Sequence, residues 1–89
     1  MTNSEVRKEI LINLYNEQGE PHGSWERYYS NGQLWYKANY VNGQRHGYWE
    51  QYYDNGQLCY KGNYVNGKRH GYCEHYWDNG QLMYKTYYI

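Results

Sequence analysis

Apolar and polar residues alternate along most of this chain, in runs such as Leu34-Trp-Tyr-Lys-Ala-Asn-Tyr-Val41 and Leu58-Cys-Tyr-Lys-Gly-Asn-Tyr-Val65. A period of two places successive side chains on opposite faces of a pleated strand, and no long amphipathic helix is visible. The runs are broken by Asn31-Gly32, Asn42-Gly43, Asn55-Gly56, Asn66-Gly67 and Asn79-Gly80. Asn-Gly between strand-like runs is the strongest local hairpin signal, because a type I′ turn needs positive φ at both central residues. The pattern predicts an all-β antiparallel meander of about seven strands.

The turns recur at a fixed interval. His22 to Arg45 is followed by a near copy from His46 to Arg69 and by a third from His70, an offset of 24 residues. Such a period signals a linear stacked array. The expected organisation is an N-terminal segment over 1–9 and a β-hairpin array over 10–89, divided into a half repeat 10–21 and repeats 22–45, 46–69 and 70–89.

A two-residue loop at Asn55-Gly56 pairs Asp54 with Gln57, Tyr53 with Leu58, Glu50 with Lys61 and Trp49 with Gly62. The same rule sets Glu26 opposite Lys37 and Glu74 opposite Lys85, so every copy gains a cross-strand charge pair. One face then carries Trp25, Tyr29, Leu34, Tyr36, Tyr40, Trp49, Tyr53, Leu58, Tyr60, Tyr64, Trp77, Leu82, Tyr84 and Tyr88. The other carries the Glu–Lys pairs with Asn39, Asn63, Tyr28, Tyr52 and Tyr76. Ala38 and Gly62 lie opposite the tryptophans and leave room for indole rings. No element is left over to cover the aromatic face, so the expectation is a single sheet curled on that face, or one covered by a partner or a second copy.

Composition explains the choice of core residues. Fifteen tyrosines and four tryptophans stand where Leu, Val and Phe usually stand, and Phe is absent. Such rings suit half-wet surfaces, because one end of each can reach water. Net charge is zero, which argues against nucleic acid as a partner, since duplex affinity rests on neutralised phosphates. No apolar run is long enough for a membrane span. Residues 1–9 lack the apolar stretch of a signal peptide, so the expected setting is the cytoplasm, of the protein's own cell or of a host. Two cysteines, Cys59 and Cys73, are too few for a secreted disulfide scaffold. The register puts them on opposite faces, which predicts no disulfide and makes Cys59 the more exposed thiol.

The spacing Tyr-x-Asn-Gly-x-x-x-Gly-x-Trp-x-x-Tyr-x-x-x-Gly from Tyr40 to Gly56 resembles the MORN repeat. It is most similar to the variant found in YwqK-like proteins carrying an antitoxin label and in many giant-virus and phage proteins. The resemblance covers residues 10–89. It implies a β-hairpin array without a cofactor, with roles in protein contact, membrane-proximal scaffolding or dimerisation. Cys73 stands where the repeat has tryptophan, which marks the last copy as a looser unit or a cap.

Candidate chemistry adds little. His22, His46 and His70 recur two strand spacings apart, about 9–10 Å, too far to share one metal ion with bonds near 2 Å. Glu26, Glu50 and Glu74 each face a lysine, which favours the ionised form and opposes a general-acid role. His75 occurs once, on the aromatic face, as a packed or rim residue. No enzyme activity and no metal or other cofactor are expected. The candidate binding residues are Tyr28, Tyr52 and Tyr76, stacked as one ladder on the polar face, with Trp35, Cys59 and Met83 beside them. The leading expectation is a module that docks a partner protein through an aromatic Tyr/Trp sheet face, as an inhibitor or antitoxin-like neutraliser. The alternatives are a structural or homo-oligomerising scaffold, and a binder of a small aromatic ligand or nucleotide.

Overall fold

The five Asn-Gly pairs close their strands in two different ways. The computed structural model describes residues 12–89, so the segment 1–9, with Ile10 and Leu11 of the half repeat, lies outside the described residues. The strands are β1 Gly23–Tyr28, β2 Leu34–Val41, β3 Gln44–Arg45, β4 Gly47–Tyr52, β5 Leu58–Val65, β6 Lys68–Tyr76 and β7 Leu82–Tyr88. They form one antiparallel sheet in the order β1-β2-β4-β5-β6-β7, with β3 also paired to β2. This is the all-β meander that the turn spacing predicts. Ahead of it, Tyr15 bridges to Pro21, and the Tyr15 ring meets Trp25 edge-on at 5.2 Å.

Asn42 and Asn66 have φ of 47° and 53° and are followed by left-handed glycines, as a two-residue type I′ turn requires. At the other three pairs only the glycine has positive φ. There Tyr29, Tyr53 and Trp77 donate their N–H to Gln33, Gln57 and Gln81, each at 2.8 Å, and accept from Gly32, Gly56 and Gly80 at 3.0 Å. This is the three-residue loop in which a type I turn ends in a glycine bulge. The expected pairs Asp54–Gln57 and Tyr53–Leu58 are therefore corrected: Leu58 faces Tyr52. The asparagines still have a specific task. Asn31 and Asn55 accept from Gln33 and Gln57 N–H at 2.9 and 2.8 Å, and donate to the Asp54 and Asp78 carbonyls of the next repeat at 2.8 and 2.9 Å.

Register returns to the expected one beyond a second irregularity. It shifts between Gln51 and Tyr52, after which Gln51 faces Tyr60, Glu50 faces Lys61 and Trp49 faces Gly62. The equivalent shifts lie between Arg27 and Tyr28 and between His75 and Tyr76, so Glu26↔Lys37 and Glu74↔Lys85 hold as well. A further break comes at His46-Gly47 and at His70-Gly71. Between Tyr40↔Arg45 and Lys37↔Glu50 the second strand carries extra residues around His46-Gly47, where Gly47 has φ of 93°.

The aromatic face is covered by its own rings. Trp25, Trp49, Tyr60, Tyr64, Ala38 and Cys73 are buried. Each buried tryptophan faces a small residue across its hairpin, Trp25 facing Ala38 and Trp49 facing Gly62, and in the last hairpin Cys73 faces Thr86. Tyr36 of one hairpin stacks on Trp49 of the next, with centroids 4.8 Å apart and planes 8° apart. The Arg45 guanidinium lies 4.0 Å above Trp49 and 5.3 Å from Tyr64, and Arg69 lies 5.2 Å from Tyr60 and 5.7 Å from Tyr88. Ring contacts contribute about 0.5–1.5 kcal/mol each beyond area burial, and cation–π contacts about 0.5–2 kcal/mol. Flat rings roofed by arginines thus give a single-layer sheet a core without a covering helix.

Candidate binding surface

Alternation along each strand puts one glutamate or lysine per long strand on the face opposite the buried tryptophans, and antiparallel register lines them up. Glu26, Lys37, Glu50, Lys61, Glu74 and Lys85 form one row across β1, β2, β4, β5, β6 and β7, with the sign alternating at every step. Glu74 is held from both sides, by Lys61 and Lys85 at 3.4 Å each. The Lys61 contact links one repeat to the next.

Each glutamate also holds the tyrosine two residues further on, which a strand places on the same face. Tyr28 Oη donates to Glu26 at 2.6 Å, Tyr52 Oη to Glu50 at 2.8 Å, and Tyr76 Oη to Glu74. Tyr48 donates to Glu50 as well, at 3.0 Å. The bond from Tyr76, with the two lysines, keeps the Glu74 carboxyl below the usual carboxylate range. The same bonds to glutamate raise the Tyr28 and Tyr76 hydroxyls. Burial first, then Glu50, raises Tyr52 and pushes Tyr48 up to about 12. The surface is therefore a balanced row of fixed charges fringed by neutral phenols.

The three laddered tyrosines stand on this face as the alternation predicts. Trp35 does not. Its ring lies 5.8 Å from Tyr29 and 5.2 Å from Tyr36, beside residues of the aromatic face. The register shift is the cause: Leu34 faces Tyr28 while Tyr36 faces Arg27, so Trp35 is the extra residue of a bulge and leaves the strict alternation. Cys59 holds the same place in the second repeat and packs against the core cluster that contains Cys73. The expected separation of the two thiols onto opposite faces is thereby corrected, although Cys59 is the more exposed and both are free. Met83 is the bulge residue between Leu82 and Tyr84, and is exposed.

The alternation also contained residues that were not singled out. Tyr48 and Tyr72 directly precede Trp49 and Cys73, so they emerge on the polar face, where both are exposed and Tyr72 meets Tyr87 at 4.7 Å. With Lys61, Gly62, Asn63 and Glu74 they line a pocket of about 160 Å³. Arg45 and Arg69 were likewise legible, as the residues before His46-Gly47 and His70-Gly71, but nothing local shows that they fold over a ring.

On the aromatic side, His75 lies flat on Tyr84 at 4.4 Å and tilted against Tyr60 at 4.6 Å. Burial, and then Arg69, lowers its pKa, and its buried Nε2 has no hydrogen-bond partner among the described residues. His22 serves the turn beside it, its Nδ1 accepting from Asn42 N–H at 3.0 Å. Among the described residues no three His, Cys, Asp or Glu side chains converge as a metal-binding group. No helix among them is long and apolar enough to cross a membrane.

Comparison with known proteins agrees with this geometry. The profile of the MORN repeat variant matches three times, over residues 21–42, 45–66 and 69–89. No curated protein and no solved structure matches the chain. The three matches cover most of the sequence, and the chain belongs to the MORN repeat variant family, a class of non-catalytic repeat modules that generally mediate contacts with proteins or membranes.

Proposed function

We propose that this chain is a non-enzymatic module that docks a partner protein on its polar tyrosine face, acting as an inhibitor or antitoxin-like neutraliser of that partner. The supporting observation is the ladder of Tyr28, Tyr52 and Tyr76, each bonded to a glutamate of the charge row. Tyrosine offers a large amphipathic contact area at low entropic cost, and a ring already held in place loses less freedom on binding. The alternating charges confer specificity by rejecting a partner whose charges fall out of step.

The test is capture of a partner from the native source by wild type, Trp35→Ala and a Tyr52→Ala, Tyr76→Ala double variant. The expected outcome is a stoichiometric partner retained by Trp35→Ala and lost by the double variant. Equal capture by all three would remove the tyrosine ladder as the docking surface.

A second reading is self-association, because Trp77, Leu82 and Tyr84 are exposed on the last hairpin and β7 ends the strand order. An unpaired edge strand is a ready site for strand addition. Sedimentation at micromolar concentration distinguishes the two readings, since a monomer excludes the second.

A further inference from the structure

On the polar face, β5 runs between two tyrosines that frame a gap. Tyr48 on β4 stands beside Asn63 in register. Tyr72 on β6 stands on the other side, within the register break between Lys61↔Glu74 and Asn63↔His70. The two outer strands are separated by two strand spacings, about 9–10 Å, and the Gly62 backbone lines the floor between Lys61 and Asn63. A dry cavity of about 150 Å³ holds one benzene ring, so the 160 Å³ pocket here has room for a single six-membered ring.

The walls are set in advance. The Tyr48 hydroxyl is tied to Glu50 at 3.0 Å. Tyr72 rests on Tyr87, with the Lys85 ammonium 5.5 Å from its ring. Between the rings, Lys61 and Glu74 offer donors and acceptors 3.4 Å apart. Asn63 is exposed, and its amide is uncommitted among the described residues, whereas its counterpart Asn39 donates to the His46 carbonyl at 3.0 Å. Among the described residues, the other two repeats differ at the equivalent positions. Ser24 replaces Tyr48 in the first repeat, and in the third Tyr87 replaces Asn63 and fills the space against Tyr72.

The lining selects the ligand. A hydrocarbon ring would leave the Asn63 amide without a partner and would strip water from the Lys61–Glu74 pair. A net charge of either sign would meet a like charge at Lys61 or Glu74. A neutral ring bearing hydroxyls satisfies all of them: its C–H faces lie on the phenol rings, and its hydroxyls donate to Glu74 and accept from Lys61 and Asn63. We propose that this pocket binds one neutral hexose ring. The site goes beyond the protein-docking reading and does not use Tyr28 or Tyr52.

The test is a nuclear magnetic resonance titration of the full chain with the methyl glycosides of glucose, galactose, mannose and N-acetylglucosamine. Phenol and adenosine serve as the competing ring chemistries. At least one glycoside is expected to give saturable shifts at the Asn63 side-chain amide and the Gly62 and Tyr72 backbone amides, with millimolar affinity, as befits so small a ligand. Tyr72→Ala and Asn63→Ala, both at exposed positions, are each expected to weaken binding about tenfold, a loss typical of one ring or hydrogen-bond contact. Val41→Ala, at an exposed position away from the pocket, is expected to leave it unchanged, and preserved spectra away from the pocket show that each variant is folded. Three outcomes would overturn the proposal: no saturable shift with any glycoside, stronger shifts at the same amides with phenol or adenosine, or glycoside binding indifferent to both pocket variants.

Discussion

The central hairpin, β4–β5, and the last one, β6–β7, share a backbone course, a Glu–Lys pair and a turn type, yet their aromatic faces are covered very differently. Tyr60 in the first is 4 % exposed, whereas its counterpart Tyr84 is 45 % exposed. The cover over Tyr60 comes from the following hairpin, through the Arg69 guanidinium and the His75 ring. Burial in this protein is thus a nearest-neighbour property, as expected of a one-dimensional array. The hydroxyl ladder runs the same way, from Tyr29 to the Tyr52 carbonyl and from Tyr53 to the Tyr76 carbonyl, at 2.5 Å each. At the next step Trp77 replaces tyrosine and has no hydroxyl to donate.

The sharpest way to break this comparison is to truncate one aromatic residue in each hairpin. Trp49→Ala removes a buried ring contacted by Tyr36, Tyr64 and Arg45, and is expected to cost about 3–5 kcal/mol. Trp77→Ala, at a 52 % exposed residue, is expected to cost less than about 1 kcal/mol. Urea unfolding measures both, and equal losses would mean that the last hairpin is as well packed as the central one.

Overfilling the central hairpin comes next. A Cβ on Gly62 would stand 2.7 Å from Cys73 Sγ and 2.7 Å from Tyr60 Oη, so Gly62→Ala is expected to cost about 1–3 kcal/mol. Adding Cys73→Ala removes one of the two clashing atoms. The double variant should therefore lose less than the two single variants together; strict additivity would show that the pair is not in contact.

Smaller again is the inter-repeat hydrogen bond. Tyr53→Phe deletes the donor to the Tyr76 carbonyl and is expected to cost about 1 kcal/mol, read as a shift in urea midpoint. An unchanged midpoint would show that water replaces the phenol without penalty.

The smallest effect is on pH. Burial lowers the His75 pKa below its ordinary 6.5, so between the folded and unfolded values the unfolded chain binds more protons. Stability then rises with pH through this window; it is complete above about 6.5 and falls as the solution is acidified toward the folded value. His75→Gln, which installs the residue that the second repeat carries at Gln51, is expected to flatten this slope. A slope unchanged by the substitution would assign it to another group.

Much of this surface was legible from the chain, and the exceptions have a common origin. Tyr28, Tyr52 and Tyr76 were placed correctly because strict alternation carries them from their glutamates. Trp35 and Cys59 were misplaced because a bulge absorbs one residue at modest local cost, and pattern alone gives no sign of which residue it absorbs. Tyr48 and Tyr72 were visible as polar-face residues, but the gap between them depends on the register break between β5 and β6 and on residues of the neighbouring repeat.

The period, the hairpins, the Glu–Lys register and the sorting of two faces were determined by the sequence by itself, because alternation and turn chemistry act between residues close along the chain. The tertiary structure alone decided which Asn-Gly pairs close as two-residue turns and which as three-residue loops, where the slack in register falls, and how arginines and rings of successive repeats cover one another. Those outcomes depend on side chains some two dozen residues apart meeting across strands. Several arrangements of similar local energy compete there, and the packing of neighbouring repeats selects among them.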